Sequence, residues 1–205
     1  MPKPSVREKL VETALERFQE QGFNGCGVQD ITDAAGVPKG SFYNHFKSKE
    51  ALALEVLDRY RLNSRFDILA DVAKSPITRL RAHFEFMADR VEGWHFTRGC
   101  LLGNFSCETA DTSPAMRQAM ADAFARWCEM VAELLRQAQA QGEIAGSHDP
   151  TALATFLVHA WEGAIAGAKV DKSRAPLEDF FAVTFSTLLV KPQPGLKKSS
   201  LSCAG

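Results

Sequence analysis

Residues 98–108 carry most of the reactive groups that this sequence places close together. The segment contains two cysteines, two glycines, an asparagine and a glutamate, which is unusual for a purely structural helix. If Thr97 caps a helix here, Cys100 lies in the first turn, where unpaired N–H groups and the helix dipole stabilise a thiolate. Arg98 adds a positive charge nearby. Such a thiolate can add to a Michael acceptor or be oxidised to a sulfenic acid.

The cysteines also have a plainer interpretation. Cysteine is among the most buried residue types, so Cys100 can equally be a small apolar core residue. Cys107, Cys128 and Cys26 are further candidates for a reactive thiol. A Cys100–Cys107 disulfide is not expected. Seven residues of helix separate the two Cα atoms by roughly 10 Å, beyond the roughly 7 Å that a disulfide spans.

A second polar cluster follows the turn Gly36-Val37-Pro38. Gly36 permits a left-handed turn, and Pro38 can begin the next helix without losing a hydrogen-bond donor. Phe42 and Phe46 are spaced to anchor that helix inward. The remaining side chains of this segment are polar: Lys39, Ser41, Tyr43, Asn44, His45, Lys47 and Lys49. Because a helix of roughly 10 Å diameter fits the DNA major groove, the two short helices predict a helix-turn-helix.

The elements that position these groups are helical almost throughout. Apolar residues recur at helical spacing, and proline stands at the first turn of three helices. The pattern predicts an all-α fold of about nine helices, the third covering Lys39–Phe46. Residues 1–50 are expected to form the DNA-binding domain, residues 51–190 a second helical domain, and residues 191–205 a disordered tail.

The composition is that of an ordinary soluble protein, with 45% hydrophobic and 24% charged residues in 205. No apolar run approaches the roughly 20 residues needed to span a bilayer, and the N-terminus lacks a signal-peptide core, so a cytoplasmic location is expected. The net charge of −1 means that DNA contact must come from locally placed bases. His83, His95 and Glu108 lack the close spacing of metal ligands, so neither a metal nor a cofactor is expected.

Residues 36–50 resemble the signature of the TetR family, in which a Gly-Val turn precedes a small-aromatic-Tyr-x-His-Phe helix and a Lys-x-Lys pair. The resemblance extends over about residues 6–55, through Gly22-Phe23 and Asp30-Ile31. It departs at Gly27-Val28, where many members carry a threonine that caps the helix and contacts phosphate. It implies that one set reads bases in the groove, namely Gln29, Lys39, Ser41 and Asn44. It implies that a second set holds phosphates, namely Tyr43, His45 and Lys49.

The resemblance also implies a role for the second domain in dimerisation and ligand sensing. TetR-like proteins dimerise through their last two helices. The expected interface is rich in small and aromatic residues: Phe156, Ala160, Ala164, Ala168, Phe180 and Phe181. The alternative is that these side chains only fill the core of one chain.

Residues 98–108 resemble the Gly-Cys-Leu-x-Gly-Asn-Leu segment of a TetR subgroup. That subgroup includes the N-ethylmaleimide-responsive repressor and the repressor of acrylate catabolism, and Trp161-Glu162-Gly163-Ala164 is similar to the latter as well. In the former, a cysteine senses electrophiles and oxidants, and Cys100 matches its position. A small, largely apolar or electrophilic inducer is expected in a pocket lined by aromatic and neighbouring residues: Phe84, Met87, Trp94, Cys100, Asn104, Trp127 and Trp161.

These observations predict a homodimeric repressor that binds a palindromic operator and is released by an inducer or by modification of Cys100. One alternative keeps the DNA-binding domain but makes the thiols inert, with a non-covalent inducer. Another, from a different class, is an all-α enzyme with Cys100 as nucleophile. No base is spaced to identify a catalytic dyad, and that alternative leaves the DNA-binding pattern unexplained, so no catalysis is expected.

Overall fold

The computed structural model describes residues 4–191, which form ten α-helices and contain no β-strand. The helices are α1 (Val6–Gln21), α2 (Val28–Ala35), α3 (Lys39–Tyr43), α4 (Lys49–Leu62), α5 (Asp67–Ala70), α6 (Pro76–Gly93), α7 (Leu101–Thr109), α8 (Pro114–Ala140), α9 (Pro150–Asp171) and α10 (Ala175–Val183). A π-helical segment, Thr184–Leu188, continues α10. The predicted all-α fold is confirmed. The single-turn helix α5 was not predicted from the sequence. The tail expected to be disordered lies outside the described residues, apart from Lys191.

Short polar side chains begin most of the long helices. The Ser5 hydroxyl accepts a hydrogen bond from the Glu8 N–H while the Glu8 carboxylate accepts one from the Ser5 N–H, which closes a capping box on α1. The Ser75 and Asp149 side chains cap α6 and α9 by accepting hydrogen bonds from N–H groups of the first turn, and proline follows each of them. These caps satisfy backbone donors that the first turn of a helix leaves free, which is why the helices start where they do.

The first four helices share a small apolar core. Leu10 and Phe18 of α1 and Leu52 of α4 are fully buried, and so is Phe42 of α3, with Phe46 almost as well covered. The expected inward anchoring of the two phenylalanines is therefore present. Helix α3 ends at Tyr43, three residues earlier than expected. The N–H groups of His45 and Phe46 both donate to the Phe42 carbonyl, so the chain closes in a turn before Ser48 caps α4.

The larger core lies among α6, α8, α9 and α10. Trp161 is fully buried at its centre, with its ring 5.1 Å from that of Phe84 and 5.0 Å from that of Phe180. Helix α7 packs along α8 and also contacts α1 and α4. Among the described residues, no helix combines the length and the apolar character needed to cross a membrane.

Candidate DNA-binding surface and signalling helix

The turn between α2 and α3 has helix-turn-helix geometry. Gly36 adopts left-handed backbone angles (φ 65°, ψ 37°), which suit a residue without a Cβ. The Val37 N–H donates to the Thr32 carbonyl, and the Val37 side chain is buried as an apolar plug. Pro38 then stands at the N-cap of α3. The turn therefore fixes the angle between α2 and α3 and leaves the outer side of α3 uncovered.

The polar residues that follow this turn lie on the surface. Lys39, Asn44 and His45 are exposed, Ser41 is half-buried, and Tyr43 has 58% of its surface exposed. Gln29 of α2 is also exposed, and its amide donates to Asp33 at 2.6 Å. Six of the seven side chains predicted to contact DNA are thus free to meet a partner surface.

Lys49 differs from the other six. Its Nζ donates to the carbonyl oxygens of Phe23 (2.8 Å) and Cys26 (3.0 Å), and it lies 4.2 Å from the centre of the Phe23 ring. The ammonium group therefore holds the loop between α1 and α2 instead of pointing outward. The predicted phosphate contact of Lys49 does not fit this arrangement. Its partners are distant in sequence, so spacing alone could not reveal them.

The departure at Gly27-Val28 leaves only half of a capping box on α2. Gly27 is the N-cap and has no side chain to accept from the first turn, but its own N–H donates to the Asp30 carboxylate at 2.7 Å. The Val28 side chain is partly buried against the core. The acceptor role of the threonine hydroxyl that many members carry is therefore not replaced at this N-cap.

The environment of Cys100 differs from the expected thiolate site. Helix α7 begins at Leu101 with Cys100 as its N-cap, so Thr97 is not the cap. The guanidinium of Arg98 is bound to Glu20 at 2.6 Å and is not a partner of the thiol. Cys100 is buried, and burial raises the pKa of its thiol far above the ordinary value, with the Glu162 charge acting in the same direction. The thiol is therefore protonated in this conformation.

Two further titratable groups surround this sulfur. The Tyr60 hydroxyl donates to Cys100 Sγ at 3.4 Å, and burial together with Cys100 raises the pKa of that phenol. Burial raises the pKa of Glu162 to about 7, and a hydrogen bond with Cys100 partly offsets the shift. The Glu162 Oε1 atom is buried without a hydrogen-bond partner among the described residues. A side chain at Gly103 would overlap the other carboxylate oxygen, so the carboxylate lies against the first turn of α7.

The opposite end of α7 contacts the DNA-binding domain. The Phe105 ring lies 5.3 Å from that of Phe18 and 5.8 Å from that of Phe23. The Glu108 carboxylate accepts a hydrogen bond from the Asn24 N–H at 2.6 Å. The same helix thus carries the buried thiol at one end and the contacts to the α1–α2 loop at the other. Sequence reasoning missed Tyr60, Phe105 and this role of Glu108, because only the fold brings them to their partners.

The predicted ligand pocket is not formed by the predicted residues. Phe84, Trp127 and Trp161 are buried in the aromatic core, and Phe84 contacts both tryptophans. The Trp94 ring lies under the guanidinium groups of Arg90 and Arg98. Cys100 is buried beside Glu162, while Met87 and Asn104 are only partly covered. A cleft of about 1010 Å³ opens elsewhere, between α4, α5, α7 and α8, and none of the seven lines it.

The predicted dimer residues divide into two groups. Ala168, Phe180 and Phe181 are buried inside the chain, where the two rings pack on Trp161, so for these three the alternative of core filling is correct. The other three remain accessible: Phe156 has 56% of its surface exposed, and Ala160 and Ala164 are half-buried. The sequence could not separate the two groups, because a high aromatic content does not show which side of α10 faces the core.

Comparison with known proteins agrees with this geometry. Residues 10–56 match the bacterial regulatory proteins of the tetR family, and residues 76–184 match the tetracyclin repressor-like C-terminal domain. The chain is 38% identical to the transcriptional repressor DhaR of Mycobacterium sp. over 192 residues, which is 92% of this chain and 95% of that protein. It is 38% identical to the regulator AcuR of Cereibacter sphaeroides over 181 residues, 85% of this chain and 81% of that one.

A solved structure shows the same likeness. The reduced form of Escherichia coli NemR superposes with a TM-score of 0.78 at 28% identity, covering 91% of this chain and 98% of that one. The fold and the site define a helix-turn-helix transcriptional regulator and not an enzyme. The chain belongs to the TetR family and is a transcriptional repressor similar to DhaR, AcuR and NemR, as the sequence resemblance implied.

Proposed function

We propose that this repressor binds an inverted-repeat operator as a homodimer, with α3 of each copy in the major groove. The single observation that carries the proposal is the uncovered polar side of α3, where Lys39, Tyr43 and Asn44 are exposed beside a rigid turn. Lys39, Ser41 and Asn44 read bases, with Gln29 reaching a further base from α2. Tyr43 and His45 bind phosphates.

The surface that supports dimerisation is the outer side of α9. Six of its exposed positions follow a spacing of four and three residues in alternation: Ala152, Phe156, His159, Gly163, Ala166 and Val170. This spacing forms a straight seam along a helix, and small residues let a second helix approach closely. Ala160 and Ala164 flank the seam. A seam of this kind pairs with a copy of itself about a two-fold axis.

The test combines oligomeric state with DNA binding. Phe156→Glu places two like charges in the paired seam, and we expect the protein to become monomeric by light scattering. The same variant should lose at least tenfold in affinity for the DNA upstream of its own gene, because a single half-site contact remains. Leu62→Glu, which charges another exposed apolar side chain, on α4, is the matched control. A dimeric Phe156→Glu protein with normal affinity would refute this interface.

The proposed release signal starts at Cys100. The thiol proton passes to the Glu162 carboxylate, sulfur bonds to the β-carbon of an α,β-unsaturated carbonyl compound, and the resulting enolate takes a proton back at its α-carbon. What supports this is the Tyr60–Cys100–Glu162 cluster, which holds both proton partners beside a buried sulfur. An adduct cannot fit into that packed site, so α7 must move and carry its contacts to the α1–α2 loop with it.

Treatment with methyl vinyl ketone tests the release signal, with intact mass and operator affinity measured on the same sample. Peptide mapping should locate an adduct at Cys100 both in wild type and in Cys107→Ser, which removes the exposed thiol of the same helix, and both proteins should lose operator affinity. Cys100→Ser should keep its affinity. Release that persists in Cys100→Ser would exclude the covalent route and favour a non-covalent inducer.

A further inference from the structure

The cleft of about 1010 Å³ has largely apolar walls. Leu54 and Leu57 of α4, Phe66, Leu102 of α7 and Met130 of α8 contribute to them. Its volume is at the upper end of the range in which proteins bind drug-sized molecules. Because it is lined by the helix that follows α3 and by α7, an occupant would touch two elements that contact the DNA-binding domain.

Arg79 of α6 is the buried charged residue of this cleft. Only 5% of its surface is exposed, whereas the other charged lining residues lie exposed at the rim. Its guanidinium donates to the Leu69 carbonyl at 3.1 Å and to the Gln137 amide oxygen at 2.7 Å. Its Nε is buried without an acceptor in the described chain. Two of the five N–H donors are therefore accounted for by these bonds.

No carboxylate of the described residues forms an ion pair with Arg79. The Gln137 amide donates in turn to Glu133 at 3.0 Å, but that carboxylate is exposed and already pairs with Arg136. Burying a guanidinium without an anionic partner is costly, because the lost hydration is replaced by two neutral acceptors only. The guanidinium therefore keeps hydrogen-bond donors that can bind an anionic partner.

We infer that this cleft binds an amphipathic carboxylic acid, with its carboxylate on Arg79 and its hydrocarbon chain against the apolar walls. The planar fork of a guanidinium matches the two oxygens of a carboxylate, and the buried site strengthens each charge-assisted hydrogen bond. The walls favour a chain of several carbons over a short polar acid. Only the consequence for DNA rests on the proposed function: the occupant displaces α4 and α7 and weakens operator binding.

Calorimetric titration with decanoate tests the site, with 1-decanol and butanoate as comparison ligands. Wild type should bind decanoate at least tenfold more tightly than either, since charged hydrogen bonds and apolar burial each contribute. Arg79→Met, which keeps the length of the side chain, should lose the preference for the acid over the alcohol. Arg61→Met, at the exposed rim of the same cleft, should retain it.

Equal affinity for acid and alcohol in the wild type, or no binding of decanoate, would overturn the inference, and neither result depends on whether a variant folds. Retention of the acid preference in a folded Arg79→Met protein would also overturn it. Operator affinity is measured separately in the presence of decanoate. Binding without release would refute the link to the proposed function and leave the site itself standing.

Discussion

Lys49 offers a test that separates a structural lysine from one that contacts DNA. Its two hydrogen bonds to the carbonyl oxygens of Phe23 and Cys26 and its position over the Phe23 ring tie the α1–α2 loop to α4. Each charged hydrogen bond contributes about 1.5 kcal/mol at the lower end, and the ring contact about 0.5 kcal/mol. The freed carbonyls regain some water, so we expect Lys49→Ala to lower the free energy of unfolding by about 2 kcal/mol.

The assay measures stability and DNA binding on the same variant. Chemical denaturation gives the free energy of unfolding, and fluorescence anisotropy at several salt concentrations gives the dependence of operator affinity on salt. Loss of one phosphate contact per half-site would reduce the slope of log affinity against log salt by about 1.8 for a dimer. We expect the slope of Lys49→Ala to stay unchanged, and Lys47→Ala, an exposed neighbour, to keep normal stability. A reduced slope with normal stability in Lys49→Ala would refute the structural role.

Two further changes act on the packing of the second domain and of α7. Burial lowers the pKa of His83 to about 4, so the unfolded chain takes up a proton first as the pH falls below 6.5. At 1.36 kcal/mol per pKa unit, stability should fall by up to about 3 kcal/mol by pH 4, and His83→Leu should lack this loss in urea unfolding at pH 7 and 4.5. An equal pH dependence in both proteins would contradict the reasoning. Gly22→Ala meets a backbone conformation, φ 77° and ψ −180°, that is almost confined to glycine, and it also displaces the Glu108 carboxylate from its hydrogen bond with the Asn24 N–H. Gly142→Ala meets only a positive φ of 67°. The first should cost about 2 kcal/mol more than the second in denaturation, and equal costs would argue against both the backbone strain and the Glu108 contact.

The sequence was sufficient for the parts of the fold that depend on local rules. Serine or aspartate followed by proline marks the starts of α6, α8 and α9, and apolar spacing identifies the helices between them. The polar residues of α3 could be recognised as surface because only Phe42 and Phe46 match the spacing of a buried side. Patterns of this kind depend on a few neighbouring residues, so they predicted which segments are helical and which side is buried, although α3 ends three residues earlier than the pattern predicted.

The parts that were wrong depend on contacts between distant segments. Aromatic residues at helical spacing line a core and a pocket equally well, so Phe84 and Trp161 could not be assigned until α6 and α9 were seen to pack together. The prediction of a thiolate at Cys100 was wrong. Arg98 binds Glu20, 78 residues away in the sequence, so its charge does not stabilise the buried sulfur as a thiolate. Arg79 looked like an ordinary polar residue of an amphipathic helix, and only the fold shows that it is buried in a cleft.

Helix α7 explains how a change at the buried thiol can reach the DNA-binding domain on the proposed mechanism. Its nine residues span roughly 13 Å, and a helix of that length moves as a rigid unit. Its start is held by Cys100 against Tyr60 and Glu162, and its end by Phe105 and Glu108 against α1 and the following loop. That loop is also held by Lys49 of α4. An adduct at Cys100, or a ligand against Leu102 in the cleft, therefore acts on the same helix, and the two signals should be mutually dependent and not additive.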